Sequence, residues 1–258
     1  MSSAGSYPIL EFDPNPEAVI SPVDAMGGAA DGMPEHCVIC FFGEVIAKVV
    51  EEHQPRIVRN IRSEMMQHPI YAVEANGMRF AFFHPGIGAP LAVALLEEVI
   101  ALGCRKFIAC GGAGVLNREI AVGHVLVPTA AVRDEGTSYH YLPPGREVEA
   151  SPAGIQAITA TLDAHGVDYL PCKTWTTDAV YRETPGKIAR RRAEGCLTVE
   201  MEAASFFACA QFRGVTFAQI LYGGDDVSGS AWDDRQWISR TSIRERLFWL
   251  AAEACTRL

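Results

Sequence analysis

The sequence has no apolar run long enough to cross a membrane and no excess of positive charge. Its longest apolar stretches, such as residues 38–42 and 217–222, are far shorter than the ~18 residues that a spanning helix needs. Lysine and arginine together number 22 in 258 residues, against 31 aspartates and glutamates, which gives a formal net charge of -9. A protein that binds nucleic-acid phosphates needs a positive surface. We therefore expect neither a membrane nor a nucleic acid among its partners.

Signals for export and for bound cofactors are also missing. The first residues show no basic start followed by an apolar run, so we expect no secretory or transit peptide and a cytoplasmic location. The cysteines lie in apolar segments, and the one close pair, Cys37 and Cys40, falls in a predicted strand, which argues against a disulfide framework, a redox motif or a zinc site. No G-x-G-x-x-G motif or Lys-ended phosphate loop supports a dehydrogenase or a kinase. We expect no metal and no cofactor.

From Cys37 onward, short β-branched apolar runs alternate with amphipathic segments. The run MRFAFFH, for example, precedes PLAVALLEEVIALG, in which Pro90 opens a predicted helix and Gly103 closes it. This alternation indicates crossover units on a largely parallel sheet that helices cover on both faces. Residues 1–35 are instead rich in Pro, Gly, Ser and Ala without a clear period. We therefore predict an N-terminal arm over residues 1–35 and one α/β domain over residues 36–258.

Three glycine-rich segments directly follow predicted strands, which is where ligands bind in open parallel sheets. They cover residues 85–90, 111–114 and 223–226. Glycine lets a ligand approach the backbone closely and leaves amide N–H groups free to bind anions or hydroxyls. A tight turn also explains each segment taken alone. The three segments are therefore candidate binding loops.

Two pairs of carboxylates lie near predicted strand ends. Glu200 lies in the apolar run LTVEM and Glu202 directly follows it, where a helix begins. A helix N-terminus favours negative charge, which explains Glu202 without a ligand, yet a carboxylate there can also accept hydrogen bonds from the vicinal hydroxyls of a ribose. Asp225 and Asp226 follow FAQILYGG. Burial or a like-charged neighbour can let an aspartate hold a proton near neutrality, so this pair indicates either an acid/base site or a surface turn.

Five segments together resemble the nucleoside phosphorylase family, which includes uridine phosphorylase, hexameric purine nucleoside phosphorylase and the methylthioadenosine nucleosidases. The segments are VEMEAA at 199–204, the strand that ends in Asp225, GIG at 86–88, the glycine segment at 111–114, and VRDEGTSYHYLPP at 132–144. They occur in the family's order between about Cys37 and Cys255. The resemblance implies a single three-layer α/β domain with a central, mostly parallel, twisted mixed sheet flanked by helices.

The resemblance implies two catalytic residues. Glu202 matches the carboxylate that holds the ribose diol, and Asp225 matches the aspartate that protonates or hydrogen-bonds N7 of a departing purine. His140, in the matching polar loop, either orders that loop or takes part in the site. The residues that the resemblance implies as substrate contacts are Gly86, Gly88, Gly112, Ala113, Gly114, Val180, Tyr181, Glu200, Met201 and His140.

The chain departs from the family at positions that bind phosphate. Phosphate-using members have an arginine at the position of Ala109, a hydroxyl residue at that of Gly112, and a second arginine in a loop that residues 42–47 replace here. Thr184 and Gly186 stand where uridine phosphorylase has the glutamine and arginine that bind uracil. These departures favour water over phosphate as the nucleophile and weaken the assignment of a uracil substrate.

We expect a nucleoside phosphorylase that uses phosphate to convert a purine nucleoside into the free base and ribose 1-phosphate, as in purine salvage. A neighbouring subunit, Arg133 or Arg182 would then supply the missing cations. A nucleosidase that uses water and a catalytically silent nucleoside-binding protein are the alternatives. The resemblance also implies a homo-oligomer built from dimers.

Overall fold

Strands and helices alternate along most of the chain in the computed structural model, which describes residues 7–258. The strands are β1 (His36–Cys40), β2 (Arg56–Arg62), β3 (Gln67–Ala75), β4 (Met78–Phe83), β5 (Lys106–Val115), β6 (Val125–Asp134), β7 (Glu147–Glu149), β8 (Tyr169–Thr177), β9 (Cys196–Glu200) and β10 (Thr216–Asp226). The helices are α1 (Pro22–Met26), α2 (Gly43–His53), α3 (Ala89–Leu102), α4 (Pro152–Ala164), α5 (Pro185–Ala193), α6 (Ala203–Arg213) and α7 (Thr241–Thr256).

The ends of α3 follow from local sequence chemistry. Gly88 is its N-cap with a φ of 92°, Pro90 lies in its first turn, and Gly103 ends it with a φ of 124°. Proline fits the first helical turn because its missing N–H has no partner there, and glycine adopts positive φ without strain. The predicted helix is therefore confirmed, and its N-terminus follows directly from the turn at 86–88.

All ten strands form one mixed sheet in the order β10-β6-β8-β9-β5-β1-β4-β3-β2, with β7 added beside β6. The centre is parallel, with β1 between β4 and β5, whereas the β2–β3–β4 end is antiparallel. Strand β10 also pairs with β5, so β5, β10, β6, β8 and β9 close into a ring. This closed ring is a feature that the sequence pattern did not predict.

Helices cover both faces of the sheet. One buried apolar cluster includes α3 and α6, and the other includes residues of α2, α4 and α7. Large aromatic side chains fill both clusters, with Phe206 and Phe217 stacked in the first and Phe80 against Phe248 in the second. The prediction of a three-layer α/β fold around a mixed sheet is confirmed.

Two of the predicted glycine loops are strands instead. β5 continues through residues 111–114 and β10 through residues 223–226. A Cβ on Gly112 would lie 3.1 Å from the Tyr222 ring, and one on Gly114 would lie 3.0 Å from Cγ1 of Val199. These glycines therefore allow close packing between neighbouring strands. Only the 85–90 segment is a turn, with φ of 77° at Gly86.

Part of the predicted N-terminal arm packs on this chain's own core. Met26, Ala30 and Met33 pack against the cluster that includes α3, and the Ala30 amide donates to the Leu102 carbonyl at 2.9 Å. This packing gives the segment a core role that the sequence did not indicate. The division into an arm and a domain stays a prediction, and residues 1–6 lie outside the described part. Within residues 7–258, no helix is both long and apolar enough to cross a membrane.

Candidate active site

A cavity of about 260 Å³ lies where β5, β9 and β10 end and where the chain leaves β1 and β4. Its wall is apolar at Phe41, Phe42 and Ile87 and carries several carboxyl groups. This is the edge at which the sequence placed a ligand. The predicted site residues that line the cavity are Gly112, Ala113, Gly114, Val180, Glu200, Met201, Glu202 and Asp225.

Glu200 is buried and bonded to the protein through both carboxyl oxygens. Its Oε2 accepts hydrogen bonds from the backbone amides of Glu202 and Ala203 at 2.7 and 2.6 Å, and its Oε1 accepts from the Thr176 hydroxyl at 2.6 Å. It therefore anchors the start of α6, a position where a carboxylate complements free amides and the helix dipole. Burial nevertheless raises its pKa. Its contact with a substrate stays a prediction, and the hydrogen bonds that it makes within the protein are structural.

Glu202 joins the start of α6 to the glycine turn. Its Oε1 accepts a hydrogen bond from the Gly88 amide at 2.6 Å, so that turn and helix are held together beside the cavity. The side chain is 5% exposed. Burial and the nearby Glu200 raise the pKa of Glu202 to about 8, against the effect of the Gly88 amide. A buried carboxyl group next to an open cavity gains stability from a ligand that donates hydrogen bonds to it.

The two aspartates of β10 have different surroundings. Asp225 lines the cavity, and its Oδ2 accepts a hydrogen bond from the Trp232 indole at 2.7 Å. Asp226 lies outside this cavity and pairs with Arg235 at 2.8 Å. Although burial alone raises its pKa, hydrogen bonds from Ser228 and the charge of Arg235 hold the pKa of Asp226 below its usual range. Asp225 is therefore the aspartate placed to meet a ligand.

Four predicted contact residues do not line this cavity. Gly86 borders a neighbouring cavity, and Gly88 contributes its amide to Glu202. Tyr181 is 96% exposed and borders an adjacent cleft. His140 borders a separate surface cleft near Phe212, so it does not line the cavity of Glu202 and Asp225. Of its two predicted roles, this placement favours the ordering of its loop.

Several residues of the cavity wall were missed by sequence reasoning. They are Phe41, Phe42, Glu183, Gln219, Trp237 and Arg244. Gln219 is 1% exposed, and its Oε1 has no hydrogen-bond partner among the described residues. A buried orphan acceptor is costly unless a ligand or water satisfies it. Its position in the apolar run FAQILY was the one available signal.

Among residues 7–258, the cavity wall contains one cationic side chain, Arg244 of α7. Its guanidinium lies 4.6 Å from the centre of the Phe42 ring, and its Nε lies 3.0 Å from Oε1 of Glu44. The geometry of that ion pair leaves Nε without a hydrogen bond. Arg133 instead donates to the loop that contains Ser138, and Arg182 is exposed outside the cavity wall. The cation at the site is therefore neither of the two proposed from the sequence.

The chain is an α/β protein whose cavity at the strand ends carries several carboxyl groups. Residues 35–245 match the family described as the Phosphorylase superfamily, and the chain belongs to that family. It is 28% identical to a guanosine phosphorylase of Halorubrum lacusprofundi, over 64% of this chain and 68% of that protein. It is also 28% identical to a uridine phosphorylase of Haemophilus influenzae, over 56% and 63%. The second match thus spans less than two thirds of the relative's length.

Solved structures share the fold. The purine nucleoside phosphorylase of Toxoplasma gondii in complex with immucillin-H gives a TM-score of 0.76 at 21% identity, covering 87% of this chain and 91% of that chain. An AMP nucleosidase from Bacteroides thetaiotaomicron gives 0.73 at 20% identity, covering 91% and 96%. The expected family and fold are confirmed.

Proposed function

We propose that this protein is an enzyme that cleaves the N-glycosidic bond of a nucleoside. The observation that carries the proposal is the cavity that Glu202 and Asp225 share, whose wall also contains apolar side chains. Such a cavity suits a ligand with a hydroxylated end and a flat heterocyclic end. Membership of the phosphorylase superfamily and the curated phosphorylase relatives support the same reaction.

In this proposal the two carboxyl groups have different tasks. Glu202 accepts hydrogen bonds from the ribose diol and stabilises positive charge that develops on the sugar as the bond breaks. Asp225 protonates or hydrogen-bonds the departing base, and the Trp232 indole fixes its orientation. Met201 packs beneath the sugar. The cavity wall at Gly112 and Gly114 carries no side chain, which lets the ligand approach β5 closely.

Inorganic phosphate is the acceptor that we propose first. Phosphate binding requires positive charge or free amides, and Arg244 brings a cation to the cavity wall from α7. Its guanidinium has donors besides the Nε near Glu44 and the Nη1 bonded to Ile238. The phosphorylase relatives favour the same acceptor.

Hydrolysis is the second candidate, and a specific observation favours it. Strand register places Gln219 of β10 directly opposite Ala109 of β5, so a neutral amide neighbours the position where phosphate-using members have arginine. Glu44 also neutralises part of the charge of Arg244. A cavity with so little net positive charge accepts water more readily than it accepts the phosphate dianion.

One assay separates these functions. The protein is incubated with a panel of purine and pyrimidine nucleosides, with and without phosphate, and the sugar product is identified. Ribose 1-phosphate formed only with phosphate supports phosphorolysis, whereas free ribose at full rate without phosphate establishes hydrolysis. Calorimetric binding of nucleosides without release of base would contradict both and indicate a silent binding protein. For the site variants described below, Glu51→Gln, changed on the exposed face of α2, is the matched control.

A further inference from the structure

The glycine turn that bonds to Glu202 begins at a histidine. His84 directly follows β4, and its ring Nδ1 accepts a hydrogen bond from the Gly86 amide at 3.0 Å. Two residues further along, the Gly88 amide donates to Oε1 of Glu202 at 2.6 Å. Both glycines have positive φ, 77° and 92°. One end of this turn is therefore bonded to His84 and the other to the carboxyl group assigned to the sugar.

The first of these bonds fixes the tautomer of His84. Nδ1 accepts from a backbone amide only through its lone pair, so the proton of the neutral ring is on Nε2. The ring is half-buried, and burial lowers the pKa of His84, although the Phe41 carbonyl acts in the opposite direction. Among nearby side chains, His68 of β3 lowers this pKa and Glu44 of α2 raises it. The ring is therefore neutral at pH 7 and keeps its lone pair for the turn.

His84 stands behind the candidate active site. Its ring lines the neighbouring cavity and not the one that Glu202 and Asp225 share. It meets the Phe41 ring edge-on, with 6.3 Å between the ring centres, and Phe41 in turn lines the active-site cavity. An effect of His84 on a ligand is therefore transmitted through the glycine turn and this aromatic contact.

Loss of the acceptor at position 84 reaches Glu202 through the turn. Without it the Gly86 amide has lost its partner, and a protonated ring would place a second N–H against that amide. The turn is then released, and the Gly88 amide no longer holds Oε1 of Glu202. That amide lowers the pKa of Glu202, so its loss also favours the neutral carboxyl group. A neutral carboxyl group is a weaker acceptor for hydroxyl donors.

Resting on the proposed function, we propose that His84 is a positioning residue for the sugar: its neutral ring, with Nδ1 as the acceptor, orders the turn at residues 86–88 so that the Gly88 amide holds Glu202 in place for the ribose diol. The turn transmits this effect, and the ring itself stays outside the cavity wall. The grip of the site on the sugar then depends on an acceptor at position 84.

The test compares kcat/KM for a ribonucleoside and its 2′-deoxy analogue in the wild type, His84→Asn and His84→Leu. Asparagine keeps an acceptor, because its Oδ1 is bonded to Cγ as Nδ1 is in histidine, so His84→Asn should retain the wild-type values. His84→Leu should lose about 3- to 10-fold with the ribonucleoside, the value of one hydrogen bond, and less with the deoxynucleoside. His124→Leu, changed at an exposed histidine outside both cavities, is the matched control.

Thermal melts and a pH profile separate positioning from packing. A His84→Leu protein that melts like the wild type and keeps its ratio between the two substrates overturns the proposal, as does an equal loss in His84→Asn. Should His84→Leu fail to fold, the profile decides. Protonation of His84 should lower the wild-type kcat/KM by a further factor of about 3 to 10 below the ordinary histidine pKa of about 6.5, and asparagine does not titrate. The same acid limb in His84→Asn refutes the assignment.

A measurement without substrate keeps this result separate from the proposed function. If no nucleoside is cleaved, the enzymatic proposal fails, and nuclear magnetic resonance then tests His84 alone. We expect ¹⁵N shifts of an unprotonated Nδ1 and a protonated Nε2 in the wild type at pH 8. In ¹³C-glutamate spectra the pKa of Glu202 should rise in His84→Leu and stay unchanged in His84→Asn. A protonated Nδ1, or an unchanged titration of Glu202 in a folded His84→Leu protein, overturns the proposal.

Discussion

Replacing Glu202 by glutamine tests whether this side chain holds the sugar. Glutamine keeps the volume and keeps an acceptor for the Gly88 amide, which now donates to Oε1 at 2.6 Å. With its side-chain oxygen bonded to the Gly88 amide, the glutamine presents its side-chain nitrogen where Glu202 has its second carboxyl oxygen. A ribose diol that donates hydrogen bonds to the carboxylate would then meet an N–H donor instead. The substitution therefore removes the sugar contact with little change in packing.

The expected loss follows from the energy of a hydrogen bond to a charged group. Such a bond contributes about 1.5 to 3 kcal/mol, which corresponds to about 10- to 150-fold in kcat/KM. A 2′-deoxynucleoside lacks one donor, so in the wild type it loses a similar factor. In Glu202→Gln the preference for ribonucleosides collapses, because the two changes remove the same contact and are not additive.

The pH dependence supplies a second measurement. Burial and Glu200 raise the pKa of Glu202 to about 8 in the free protein, well above the ordinary value of a glutamate. Hydroxyl donors favour the ionised form, so kcat/KM for ribonucleosides should rise with pH towards about 8, and this rise should be absent in Glu202→Gln. The raised pKa also means that the contribution of Glu202 to stability is present below about pH 4.5 and lost as pH rises through about 8. Glu202→Gln should therefore unfold less readily than the wild type above pH 8.

The assay measures initial rates with matched ribo- and 2′-deoxynucleosides from pH 6 to 9, beside thermal melts of each variant. Glu51→Gln should leave every ratio unchanged. If a folded Glu202→Gln protein keeps the wild-type ratio between ribo- and deoxynucleosides, Glu202 does not contact the diol, and the reasoning from its placement is refuted.

Four other predictions concern the same site and its assembly. Asp225→Asn should lower kcat about 10²- to 10⁴-fold with natural nucleosides and spare a nitrophenyl riboside in a rate assay; equal losses would make Asp225 structural. Glu200→Ala should lower the free energy of unfolding in urea by about 2 to 4 kcal/mol, and an unchanged value would remove its anchoring role. Gly114→Ala should reduce activity, because its Cβ would lie 3.0 Å from Val199, whereas Gly186→Ala, whose Cβ meets nothing within 4 Å, should not. Sedimentation should show a homodimer or larger, and a fully active 28 kDa species would contradict this.

Local patterns predicted the elements that depend on local chemistry. Pro90 and Gly103 bound α3 because each fixes a backbone conformation by itself. The glycines at 111–114 were wrongly predicted to form a loop, because a glycine run has the same local pattern in a turn and in a tightly packed strand. Only the pairing of β5 with β9 and β10 decides between them. That pairing joins residues about a hundred positions apart and leaves no periodic pattern in the sequence.

The candidate site was predictable where motifs carried it and not where packing built it. Glu202 and Asp225 belong to segments that resemble a family, and both line the cavity. Glu183 lies between positions that the resemblance covered, Tyr181 and Thr184, but the resemblance assigned it no role. Arg244 lies in a segment without such a resemblance and reaches the cavity through the placement of α7. Glu200 illustrates the converse, because a carboxylate in a motif was assigned to the ligand while its oxygens bind backbone amides and hydroxyls.

The closed ring of strands gives the site its spacing. The end of β5 is paired on one side with β10, which carries Asp225, and on the other side with β9, which leads directly into Glu202. Neighbouring strands lie about 4.8 Å apart, so the two flanking strands are separated by roughly 10 Å across the glycine-rich end of β5. An open sheet in which only one of them paired with β5 would place the second carboxylate elsewhere. The glycines at 112 and 114 keep the space between the two acids free of side chains, so a ligand with polar groups at both ends can lie against β5 and reach each of them.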